Sequence, residues 1–139
     1  MARRIHWICV GTDRYLRSRR HVHEEIENTP GQFANCRDVL GFRREGSHGG
    51  VFITFRSGDG FLVAGGYPMH AGEIRHADDR GLNLNMPGVI RAFLDAAIAR
   101  GWQPEAKGRT DFDGWSLFDA AFATATSGRY FPRPARVEG

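Results

Sequence analysis

Apolar and polar residues alternate in short stretches over the first two-thirds of the chain, and the pattern changes to a helical period in the last third. Residues 4–10, RIHWICV, put Ile5, Trp7 and Cys9 on one face and Ile8 and Val10 on the other, which predicts a largely buried strand. Gly11 to Asp13 provide a turn, so the next segment, RYLRSRRHVH at residues 14–23, can pair back as a hairpin. As a strand it aligns Tyr15, Arg17, Arg19, His21 and His23 on one face, with Leu16, Ser18, Arg20 and Val22 on the other. As a helix it would leave only a thin apolar stripe of Tyr15, Val22 and Ile26, interrupted by Arg19. The strand is preferred.

CRDVLGFRRE, residues 36–45, predicts a further strand with a bulge or break at Gly41. Two β-rich runs on either side of residues 57–60, Ser-Gly-Asp-Gly, predict a hairpin, because these residues tolerate the positive φ of a tight turn. Residues 65–81 are rich in glycine and predict a long loop, with a short strand near residues 73–76. LNL at 82–84 suggests one more short strand.

The helical period is clearest in NMPGVIRAFLDAAIARGWQP. Ile90, Phe93, Leu94, Ala97 and Ile98 form one apolar face, and Arg91 and Asp95 lie four apart outside it. Asn85 is placed to cap the first turn, Pro87 to start it, Gly101 to end it, and Pro104 to prevent continuation. A helix over about 86–100 follows. A second, shorter helix over about 114–125 would turn Trp115, Leu117 or Phe118, Ala121 and Phe122 inward, although 115–118 also suits a strand. Strands first and helices later predict an α+β fold: an antiparallel meander of about five to seven short strands packed against one main helix. The single domain is expected to span residues 1–126, with residues 127–139 an irregular tail.

The segments RYLRSRRHVH, VFITFRSGDGFLVAGGYPMHAG and NLNMPGVIRAFLDAAIARGWQP together resemble a loosely defined group of small bacterial proteins. Their shared features are structural: a capped helix, hairpin strands and a Gly-Trp exit. The resemblance implies one domain with a strand at 14–23, and it carries no catalytic residue.

Composition narrows the functional classes. With 41% hydrophobic and 25% charged residues, the 139-residue chain can bury one core. No apolar run approaches bilayer length and no secretory leader is evident, so a cytoplasmic setting and no membrane partner are expected. Cys9 and Cys36 have no metal or redox spacing and are expected to be reduced. The net charge of +3 permits contact with phosphates, but acids are interspersed along most of the chain.

No catalytic set emerges. His21-x-His23 on a strand could begin a metal site, yet no spacing selects a third ligand, and the nearby arginines oppose a dication. GSHG at 46–49 lacks the spacing of a nucleophile elbow, and DFDG at 111–114 reads as a turn and cap. GGYPMHAG matches no phosphate-binding loop, and no cofactor is expected. The chain therefore reads as a non-enzymatic module that binds a protein, or itself. A nucleic-acid accessory role using Arg14, Arg17, Arg19 and Arg20 is the alternative. A small-molecule or enzyme site in the loop at 65–81 is a third reading. The binding candidates are Tyr15, Arg17, Arg19, His21 and His23 on the strand, where they would form a solvated stripe, and Tyr67, Met69 and His70 in the loop.

Overall fold

The computed structural model describes residues 4–25, 33–63 and 72–127. Its elements follow in the order β1 (Arg4–Val10), β2 (Asp13–Glu25), β3 (Phe33–Arg44), β4 (Gly50–Arg56), β5 (Leu62–Val63), β6 (Glu73–Arg75), β7 (Gly81–Asn83), α1 (Pro87–Ala99), β8 (Arg109–Asp113) and α2 (Gly114–Thr126). The fold is α+β. Strands β1 to β4 form the expected antiparallel meander, and β8 adds to the free edge of β4 in parallel, giving the order β1-β2-β3-β4-β8. Strands β5, β6 and β7 form a separate three-stranded antiparallel sheet.

The segment at 14–23 is strand, paired with β1 so that Tyr15 lies opposite Ile8 and Arg17 opposite His6. Gly41 neither bulges nor breaks β3. The strand continues through it because the missing side chain makes room for Phe52: a Cβ at Gly41 would lie 2.8 Å from Ser18 Oγ and 3.3 Å from the Phe52 ring. The irregularity falls instead between Val22 and Glu24 on β2.

The hairpin expected across residues 57–60 does not form as a strand pair. The turn is present, with Gly58, Asp59 and Gly60 all at positive φ, but β5 leaves to join β6 while β8 takes the edge of β4. Backbone bonds from Ser57 N–H to Cys36 O and from Gly50 N–H to Gly108 O hold both ends of β4 to its actual neighbours.

Both helices pack on the same face of the five-stranded sheet. Leu40, Phe42, Val51, Ile53 and Phe55 point toward them and meet Ile90, Phe93, Leu94, Leu117 and Phe118 in one core. The apolar stripe predicted for α1 is buried except for Ile98, which is exposed at its end. Gly101 takes φ +116°, and Trp102 N–H returns to Ala97 O, which folds the buried Trp102 against Tyr15. Asp113 caps α2, its side chain accepting a hydrogen bond from Trp115 N–H. Asn85 does not cap α1. The N-cap is Met86, with no side-chain hydrogen bond, because the Asn85 amide is engaged elsewhere.

Candidate functional site

The two faces of β2 have different neighbours. Tyr15, Arg17, Arg19 and His21 do share a face, but it is the face turned toward the helices, and they are not a solvated stripe. Tyr15 is in the core, Arg17 is half-buried, and Arg19 and His21 retain only 18% and 14% side-chain exposure. The His23 side chain, and Tyr67, Met69 and His70 altogether, lie outside the described residues.

Arg19 and His21 converge on Asp38, which is 0% exposed and the only charged residue counted as buried among the described residues. His21 Nδ1 is 2.8 Å from Asp38 Oδ1, and Arg19 Nη1 is 3.6 Å from the same oxygen. Arg19 Nε donates to Asn85 Oδ1 at 3.0 Å, joining the sheet to the entrance of α1. Asp38 Oδ2 has no hydrogen-bond partner among the described residues. Sequence reasoning missed Asp38 and gave Asn85 only a capping role, although Asp38 shares strand parity with Leu40 and Phe42, which marks its side of β3 as the buried one.

Burial pushes the Asp38 carboxyl above its ordinary range, and the opposing pull of the His21 hydrogen bond and the Arg19 charge does not cancel it. A folded-state value above the ordinary 3.8 means that folding favours the protonated carboxyl. That contribution is fully present below pH 3.8 and is lost as pH rises through the raised value. Asparagine keeps the shape without the titration. The melting-temperature advantage of the native protein over Asp38→Asn is therefore expected to be greatest in acid and to shrink toward neutral pH, as read by thermal unfolding of both proteins across that range. An advantage that grows with pH would contradict this assignment.

Among the described residues, the opposite face of the sheet carries no helix. Arg14, Leu16, Ser18, Arg20 and Val22 of β2 point there, with Trp7 and Cys9 of β1, Arg37, Val39 and Arg43 of β3, Phe52, Thr54 and Arg56 of β4, and Arg109 of β8. On this side Trp7, on the edge strand β1, is 48% exposed. Arg14 lies over the Trp7 ring at 4.3 Å, and Arg109 over Phe52 at 4.2 Å. Among the described side chains, acids on or beside this face include Glu45, paired with Arg14; Asp111, paired with Arg109; Asp113; and Asp59 at its margin. An open groove of about 650 Å³ continues the face past β4, lined in part by Arg56, Asp59, Phe61 and Trp115.

Three other features stay structural. Asp78 and Asp79 pair with Arg80 and Arg75 in an exposed turn, and the Arg80 guanidinium holds the Asp78 carboxyl down at about 2. Cys9 and Cys36 are free thiols. Among the described residues no three His, Cys, Asp or Glu side chains gather closely enough to hold a metal, and no helix is long and apolar enough to cross a membrane.

No protein-family model, curated protein or solved structure matches the chain.

Proposed function

We propose that the protein is an interaction module whose helix-free sheet face docks onto an acidic protein surface. The observation that carries the reading is the sorting of arginines. Arg14, Arg20, Arg37, Arg43, Arg56 and Arg109 come from four strands and all fall on the one face that no helix covers among the described residues. The exposed Trp7 and the half-buried Leu16 and Phe52 lie among them, so the face combines dispersed positive charge with apolar contact area. Tryptophan and arginine are the residue types that dominate the energetics of protein interfaces. Complementary charge would steer the encounter and fix its register.

A protein partner fits better than nucleic acid because the aromatic rings are already in use. A sheet that stacks bases presents open ring faces. Here Arg14 lies over Trp7 and Arg109 over Phe52, whose ring also closes over Gly41. We place the module in the cytoplasm, in keeping with its free thiols.

Fluorescence anisotropy with two labelled probes tests the reading: a peptide of alternating glutamate and leucine, and a single-stranded oligothymidine. The expected result is saturable peptide binding that weakens as salt rises, without comparable binding of the oligonucleotide. Preference for the oligonucleotide would replace this reading with the nucleic-acid one. Absence of binding to either probe at low salt would sink both.

A further inference from the structure

We infer that Arg19, His21, Asp38 and Asn85 form a binding site for a small, neutral, polar ligand that gives a hydroxyl or amide hydrogen to Asp38 Oδ2. The site lies on the helix-facing side of the sheet, opposite the docking face, and does not depend on that face binding anything.

The unsatisfied acceptor is the starting point. Asp38 is fully buried, Oδ1 is shared by His21 and Arg19, and Oδ2 has no partner among the described residues. Leaving a buried acceptor without a partner is unfavourable, and more so when the group is charged. A buried side-chain polar atom in a folded protein normally has a hydrogen-bond partner, from protein or ordered water. The retained polarity of Oδ2 points to a donor that arrives from outside.

The neighbouring groups define what that donor belongs to. Arg19 and His21 are partly exposed beside the fully buried Asp38, so they lie between it and solvent. Arg19 and Asp38 offset each other's charge, which favours a ligand without net charge at this pair. The entrance of α1 adds donors on the same side. Met86 supplies no side-chain cap, the first turn holds no acid, and Asn85, immediately before it, is hydrogen-bonded to Arg19. The backbone N–H groups of that turn and the positive end of the helix favour an acceptor oxygen. A molecule with a hydroxyl or amide N–H for Asp38 and a carbonyl or hydroxyl oxygen for Arg19 and the helix end matches this arrangement.

The test uses glycerol and acetamide as probes, followed by amide-detected NMR on the full chain. In the native protein each probe is expected to give saturable shifts concentrated at residues 19–21, 38–40 and 85–89. Asp38→Asn, which presents a donor where Oδ2 accepted, is expected to bind about tenfold more weakly, the loss typical of one hydrogen bond to a charged group. Arg19→Met keeps the apolar stem and removes the donors, and the same weakening is expected. It decides the matter if Asp38→Asn does not fold. Absent or scattered shifts in the native protein, or equal affinity in the variants, would overturn the inference. So would a single water on Oδ2, seen at high resolution, that neither probe displaces. Unchanged acidic-peptide binding in these variants separates a failure here from a failure of the docking face.

Discussion

Phe55→Ala is expected to lower the free energy of unfolding by about 4 kcal/mol, within the range for emptying an aromatic site in a packed core. Phe55 is fully buried at the junction of β4 with both helices, meeting Phe93 edge-on at 5.0 Å and Trp115 edge-on at 5.3 Å between ring centroids. Rings held on two sides cannot collapse into the space left behind. A loss of this size is a large share of the 5–15 kcal/mol that domains typically hold. The same contact makes Gly114 a position of close approach, since a Cβ there would lie 2.4 Å from Phe55 Cε1. Gly114→Ala is expected to cost about 2 kcal/mol through overpacking. The clash needs the ring, so Gly114→Ala combined with Phe55→Leu should cost less than the sum of the two single changes. Urea unfolding of the four proteins measures this, and strict additivity would show that Gly114 and Phe55 are not in contact as described.

The legible parts of the fold were those with local causes. The period of Ile90, Phe93, Leu94 and Ala97, the stop at Gly101 and the cap at Asp113 each depend on residues within one or two turns, and α1 and α2 lie where those signals put them. The parts that differed from expectation depend on distant residues. The hairpin across 57–60 gave way because β8, more than fifty positions downstream, competes for the edge of β4. Asn85 left the helix cap because Arg19 occupies its amide oxygen.

The orientation of β2 is the clearest case. Strand alternation put Tyr15, Arg17, Arg19 and His21 on one side correctly, but parity within one strand does not say which side is inside. Leu16 and Val22 would have suited a core better than two arginines and a histidine. The choice is made by Asp38 on β3, whose buried carboxylate gives Arg19 and His21 a reason to face inward, and by Trp102, which receives Tyr15. The arginine surface that sequence reading sought at positions 14–20 therefore keeps Arg14 and Arg20 only, and gains Arg37, Arg43, Arg56 and Arg109 from strands that no local pattern connects.

The central claim is that this assembled face, and not the overall positive charge, makes the protein a docking module. The most direct measurement compares acidic-peptide affinity in two variants of equal net charge. One carries Arg20→Glu and Arg43→Glu on the helix-free face; the other carries Arg75→Glu and Arg100→Glu, away from it. Each rim charge reversed in such an interface typically weakens association and its salt dependence. The account predicts at least about a thirtyfold loss of affinity, or roughly 2 kcal/mol, in the first variant and little change in the second. Equal losses in both, or a loss only in the second, would contradict it.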